Sequence, residues 1–168
     1  MLTEPALQAR VAADAAERAR ADRLEHATIA FVQPGVAADE QRFQYRTDPA
    51  SRPLVHTGKR TGRGGSGWFS FELPVEASGA QSIVVTYHND LGLPVLSQFE
   101  IQADETPIGE YEPNRLATGF WDATYPLPPK VIAGKNKITV RFVAGENNRI
   151  VPVYGIRIIR ARDVEAAS

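Results

Sequence analysis

The chain has no cysteine in 168 residues, which excludes disulfides, cysteine-ligated zinc and a thiol nucleophile. Its three histidines, His26, His56 and His88, sit in different local contexts with no partner at metal-ligand spacing, so no histidine-bound metal is expected. Charge of either sign is not in excess: 19 basic against 20 acidic side chains leave a net charge of -1. The extended cationic surface that neutralising many phosphates needs is therefore missing, and nucleic acid is not an expected partner. A membrane is not expected either. Met1–Arg10 lacks the cationic start and continuous apolar core of a signal peptide. Export is expected only through a leader elsewhere, and a secreted or periplasmic location is favoured if the chain is part of a larger precursor.

What is present is enough for one domain, since a chain near this size buries roughly 70% of its unfolded surface. Residues 3–25 are rich in Ala, Arg, Glu and Asp, with Thr3 in N-cap position and Pro5 in the first turn, and read as one helix. Leu7, Val11 and Leu24 give it only a thin apolar stripe, so weak docking or a connector role is expected. From Ala27 onward, short apolar runs alternate with turn residues. Thr28–Val32 is a first strand, broken at Gln33–Gly35. Residues 35–66 are polar, with Asp48-Pro49 and Arg52-Pro53 as breaks, and read as a long irregular surface connection.

Further strands are expected over 67–73, 82–88, 97–103, 119–125, 137–143 and 153–160. Phe69, Phe71 and Leu73 point to one face and Trp68, Ser70 and Glu72 to the other. Phe99 and Ile101 likewise oppose Gln98, Glu100 and Gln102, and Ile138, Val140 and Phe142 oppose Lys137, Thr139 and Arg141. In the run around Ile83, Val85 and Tyr87 the intervening Val84 is also apolar, which marks a central strand covered on both sides. The pattern predicts an all-β, antiparallel β-sandwich, jelly-roll and galactose-binding-domain-like, with an N-terminal helix. The organisation is helix and linker over 1–26, sandwich over 27–163 and a tail over 164–168.

No motif commits the chain to catalysis. Gly62-Arg-Gly-Gly-Ser-Gly67 matches GxGxxG, but a polar stretch precedes it and a strand follows, where a dinucleotide site needs a strand and then a helix. A flexible loop is the reading left. Ser66, Ser70 and His88 supply triad residue types without a nucleophile elbow. Calcium through the acidic turns at Asp104-Glu105 and Glu110–Glu112 is the one metal that the residue types allow, although no recognised calcium spacing is present. The candidate ligand-binding residues are Trp68, which alternation puts on a polar face, with Arg60, Arg63, His88, Asn114 and Trp121. Aromatic rings stack on sugar faces, while arginine and asparagine hydrogen-bond sugar hydroxyls.

Gly67-Trp-Phe-Ser-Phe-Glu-Leu, Ile83-Val-Val-Thr-Tyr, Phe99-Glu-Ile, Trp121-Asp-Ala-Thr-Tyr-Pro-Leu-Pro, Gly134-Lys-Asn-Lys-Ile-Thr-Val-Arg-Phe and Val153-Tyr-Gly-Ile-Arg resemble, in that order, the C-terminal β-sandwich of glycoside hydrolase family 127. The resemblance spans roughly residues 25–162. It implies a sandwich that follows an (α/α) catalytic barrel of β-L-arabinofuranosidase type, whose cysteine nucleophile and cysteine-ligated zinc this chain cannot carry. What it implies here is a noncatalytic carbohydrate-binding accessory domain, for arabinose- or galactose-type polysaccharide. Its other partner would be an N-terminal catalytic domain of the same precursor. A domain that only packs on that barrel is the alternative. Two loops depart from the family pattern: Ala103-Asp-Glu-Thr-Pro stands where an Asp-Gly hairpin is usual, and Gly145–Arg149 is more polar than a Pro-Gly turn.

Overall fold

The computed structural model describes residues 4–48, 54–57, 60–89, 98–114, 117, 119–145 and 148–161. The Thr3 cap, the prolines at 49 and 53 and the tail at 164–168 lie outside the described residues. Helix α1 runs Glu4–Ala27, followed by β1 (Thr28–Val32), α2 (Ala37–Arg42), β2 (Arg46–Thr47), β3 (Leu54–Thr57) and β4 (Arg60–Gly65). Then come β5 (Trp68–Pro74), β6 (Gln81–Asn89), β7 (Phe99–Ala103), β8 (Thr106–Glu110), β9 (Gly119–Pro126) and α3 (Pro129–Ile132). The chain closes with β10 (Lys137–Ala144), β11 (Ile150–Val153) and β12 (Gly155–Arg160).

The strands form a four-stranded sheet in the order β1-β12-β6-β9, a five-stranded sheet β2-β5-β10-β7-β8 and a small sheet β11-β4-β3, with every pairing antiparallel. The two larger sheets close on one core. Phe69, Phe71, Leu73, Ile101, Val140 and Phe142 enter it from the five-stranded sheet, and Ile83, Val85, Tyr87, Ile156 and Ile158 from the four-stranded one. These are the positions that period-two alternation selects, because a side chain on a strand reaches only one face. The expected sandwich with an N-terminal helix is the observed fold. Val84 is buried too, under Leu24 and Ala27 at the end of α1, beside Ile159, so β6 is covered on both faces as its sequence requires. That last turn anchors α1, while Val11 is 57% exposed, in keeping with the thin apolar stripe.

The polar connection expected over 35–66 is not irregular: it contains α2 and three strands. Gly62 and Gly64, expected in a flexible loop, lie buried within β4. The reason is close approach. A Cβ on Gly64 would stand 2.7 Å from the Ile150 carbonyl oxygen, and one on Gly62 2.7 Å from that of Val153. The β11 backbone, whose register on β4 shifts between Ile150 and Val153, occupies the volume that side chains would need. The run read as one strand over 153–160 is also two: Val153 ends β11 in the small sheet, Tyr154 crosses, and Gly155 begins β12 in the four-stranded sheet.

The hairpin at Asp104-Glu105 has both residues at positive φ, 46° and 70°, between the paired Ala103 and Thr106. This is the mirror-image two-residue turn that matches strand twist. Asp104 accepts the Thr139 backbone N–H at 2.7 Å and the Lys135 ammonium at 2.7 Å. The same tight turn is thus made without glycine, and the Asp104 carboxylate proposed for calcium is engaged in holding it.

Candidate functional site

The six sequence candidates are distributed over different surfaces. Arg63 points to α2, where it forms a bidentate pair with Glu40 at 2.8 and 2.9 Å and lies over the Tyr45 ring at 5.1 Å. That hydrogen bond to Glu40 raises the Arg63 pKa against the opposing effect of burial. Trp121 faces inward. Its ring packs on Tyr87 and its Nε1–H donates to Asn89 Oδ1 at 3.1 Å. The buried Asn89 amide in turn donates to the carbonyl oxygens of Asn114 and Ala117. Asn114 is therefore tied, through its backbone carbonyl, to the end of β6. Trp121 also borders a cleft of about 350 Å³ with Glu110 and Glu112.

Trp68 stands on the outer face of the five-stranded sheet, as alternation requires, with the Arg141 guanidinium over its ring at 4.6 Å. Two clefts open along that sheet. One of about 440 Å³ is lined by Glu100, Glu110, Tyr111 and Asn148, and one of about 300 Å³ by Asp104, Glu105, Thr139 and Arg141. Ser70 lies on this same sheet at 3% exposure, whereas His88 projects from the outer face of the opposite sheet. The structure does not bring them together as a triad. Among the described residues no cluster of acidic or histidine side chains is arranged to hold a metal, and no helix is long and apolar enough to cross a membrane.

Arg60 and His88 do converge, on the outer face of the four-stranded sheet, around a residue the sequence reading passed over. Phe120 precedes the inward Trp121 and so points out, at 39% exposure. The His88 ring meets Phe120 edge-on at 4.6 Å, Tyr154 meets it at 5.2 Å, and the Arg60 guanidinium covers it at 4.5 Å. Across the sheet, Arg157 lies over Phe31 at 4.7 Å. Between these two arginine-capped rings runs a strip made by the paired positions Gly155, Thr86 and Asp122, with the Thr86 hydroxyl donating to Asp122 Oδ1 at 2.6 Å. A Cβ on Gly155 would stand 3.2 Å from the Phe31 ring and 3.3 Å from Arg60 Nη2. Glycine here lets both groups close over the strand backbone.

The two guanidiniums are fixed from below. Arg60 Nη2 donates to the Tyr154 carbonyl oxygen at 3.1 Å, and Arg157 Nη1 donates to the Thr28 hydroxyl at 2.9 Å. Burial lowers the Arg157 pKa; Asp122 and Glu25 oppose that shift and the Arg60 charge adds to it. The surface thus combines a partly exposed aromatic ring, planar donors and a carboxylate acceptor where β4 adjoins the outer face of the four-stranded sheet. Such a set can stack a ring and hydrogen-bond its substituents.

Residues 23–159 match a family of unknown function, DUF6805. The chain belongs to that family. No curated protein matches the chain. Among solved structures, this DUF6805 domain is similar to a family 35 carbohydrate binding module from Clostridium thermocellum, at 15% identity and a TM-score of 0.57, covering 79% of this chain and 99% of that one. It is also similar to an exo-β-1,3-galactanase from Phanerochaete chrysosporium solved with β-1,3-galactotriose, at 9% identity and a TM-score of 0.53, covering 77% of this chain but 29% of the galactanase. The extracellular domain of ANXUR2 from Arabidopsis thaliana matches at 14% identity and a TM-score of 0.50, covering 77% and 40%. At these identities the likeness is one of fold. The DUF6805 domain spans a whole binding module and less than a third of the enzyme.

Proposed function

We infer that the domain is a noncatalytic carbohydrate-binding module, and that the outer face of the four-stranded sheet is its binding surface. The observation that carries this reading is Phe120, exposed on a rigid strand between His88 and Arg60 and beside the Thr86–Asp122 pair. The fold shared with a carbohydrate binding module supports it. In the finer reading the domain serves as an accessory to a glycoside hydrolase of family 127 type, bringing a catalytic domain of the same precursor to arabinose- or galactose-containing polysaccharide. A purely packing role needs a broad apolar face. The only exposed large apolar side chains among the described residues are Val11 and Phe120, far apart in the chain and of different elements.

Affinity electrophoresis of the 168-residue chain through gels containing arabinan, galactan, arabinogalactan or the acidic polymer polygalacturonate tests the reading. Retardation on at least one polymer is expected. Phe120→Ala should weaken it by about tenfold, the upper range for losing one aromatic stacking contact. Free migration of the native protein in every gel, acidic polymers included, would overturn it.

A further inference from the structure

Binding of a neutral sugar leaves one property of this surface without a use, its pair of arginines. Each guanidinium has five N–H donors in a planar fork. Among the described residues each forms one hydrogen bond, to the Tyr154 carbonyl oxygen and the Thr28 hydroxyl respectively. Among the described residues neither closes an ion pair, in contrast to Arg63 with Glu40 and Arg160 with Glu76. Asp122 and Glu25 are the carboxylates that act on Arg157 without pairing with it, and Asp122 already accepts the Thr86 hydroxyl. The two cations sense each other, since the charge on Arg60 adds to the effect of burial on Arg157. Gly155 and its neighbours hold them on either side of one narrow strip. Two fixed, like-charged forks beside a stacking ring form a receptor for an anion attached to a ring, because a guanidinium meets a carboxylate in a matched two-point geometry.

We propose that the ligand of this face is an acidic saccharide, a uronate whose carboxylate is held by Arg60 and Arg157 while a sugar ring lies against Phe120. The proposal rests on the carbohydrate-binding reading and names its substrate class. Alternation puts each group on its place: Arg157 flanked by core residues Ile156 and Ile158, Phe120 by Trp121. The acidic group is thus read by strand positions that cannot rotate inward without emptying the core.

The test is calorimetric titration of the full chain with oligogalacturonides, their methyl esters and neutral galacto-oligosaccharides, at low and high salt. The free acid should bind about tenfold or more tightly than its ester, as charge-assisted hydrogen bonds are roughly twice as strong as neutral ones. That advantage should shrink with added salt. Arg60→Gln or Arg157→Gln should abolish the difference between acid and ester while the far-ultraviolet dichroism is unchanged. Should a variant fail to fold, the acid-to-ester ratio of the native protein and its salt dependence still decide. Equal binding of acid and ester, retention of the preference in both variants, or tighter binding of a sulfated galactan would overturn the proposal. Competition by plain acetate as effective as by the oligomer would overturn its saccharide part. Failure of all saccharides to bind would instead overturn the carbohydrate reading beneath it.

Discussion

Gly64→Ala separates two opposite views of the glycine-rich segment, and the sign of the effect decides between them. In a mobile loop, replacing glycine with alanine restricts the unfolded chain more than the folded one and stabilises by about 0.4–1 kcal/mol. In β4 the added methyl group would stand 2.7 Å from the Ile150 carbonyl oxygen, 3.1 Å from Pro152 N and 3.2 Å from Pro152 Cα. All three atoms are backbone, so no rotamer change can make room, and β11 must move away from β4. Forcing one methylene-sized group into a packed site costs about 1–3 kcal/mol, and an immovable wall argues for the upper half of that range. For a domain of this size each kcal/mol lowers Tm by about 2–4 °C, so a fall of about 4–12 °C is expected. Gly145→Ala is the control, since its Cβ would meet only the Asn148 side chain at 3.7 Å, an ordinary contact. Scanning calorimetry of both variants against the native protein gives the comparison. A Gly64→Ala protein that melts at or above the native temperature would refute the packed-strand account.

Glu105 at φ 70° carries a side chain where left-handed backbone disfavours one. Glu105→Gly should therefore raise Tm by about 2–4 °C, from roughly 1 kcal/mol of relieved strain; a lower Tm would show that the side chain, not the turn, is what matters there. Burial pushes the Tyr125 hydroxyl up to about 12, and burial also pushes Tyr87 well above its ordinary value, with the two hydroxyls 2.9 Å apart. Because the folded-state pKa lies above the unfolded one, this stabilisation is complete below about pH 10 and is lost as the pH rises toward 12. A Tyr125 hydroxyl held up at about 12 corresponds to roughly 3 kcal/mol. Denaturant midpoints that stay level from pH 9 to 12, or tyrosinate absorbance rising in full near pH 10 while the protein remains folded, would contradict the burial of this pair.

The sandwich was legible because its central strands carry clean alternation: β10 can expose only Lys137, Thr139 and Arg141 if Ile138, Val140 and Phe142 enter the core. The doubly apolar run at Val84 announced a strand covered on both sides. What stayed hidden lacks that signal. Strand β4 has the sequence Arg-Thr-Gly-Arg-Gly-Gly, whose glycines resemble a loop until the approach of β11 explains them. Strand β8 carries Pro107, tolerated because β8 is an edge strand paired only with β7. Helix α2 has no buried residue and so no periodic apolar stripe. At the site, Trp121 is a stacking candidate by residue type, but the step from Phe120 to Trp121 reverses the face. The inward indole is recruited by the buried amide of Asn89, a tertiary partner that alternation cannot reveal. Arg60 and His88 both approach Phe120, a meeting point that depends on which sheets β4 and β6 join.

The candidate surface is assembled from Arg60 of β4 and from alternate positions on β1, β6, β9 and β12, which lie immediately beside residues of the core or packed against it. Surfaces built on loops diversify by insertion and deletion, which leave the scaffold intact. Here a single inserted residue within β6 would turn Thr86 inward and Tyr87 outward, exchanging surface for core along the remainder of the strand. Change at this surface is therefore confined to one-for-one substitution on a fixed lattice of side-chain positions. A lineage could alter which group it presents, but not how far apart the groups stand, so the spacing of a recognised ligand should be more durable than its chemistry.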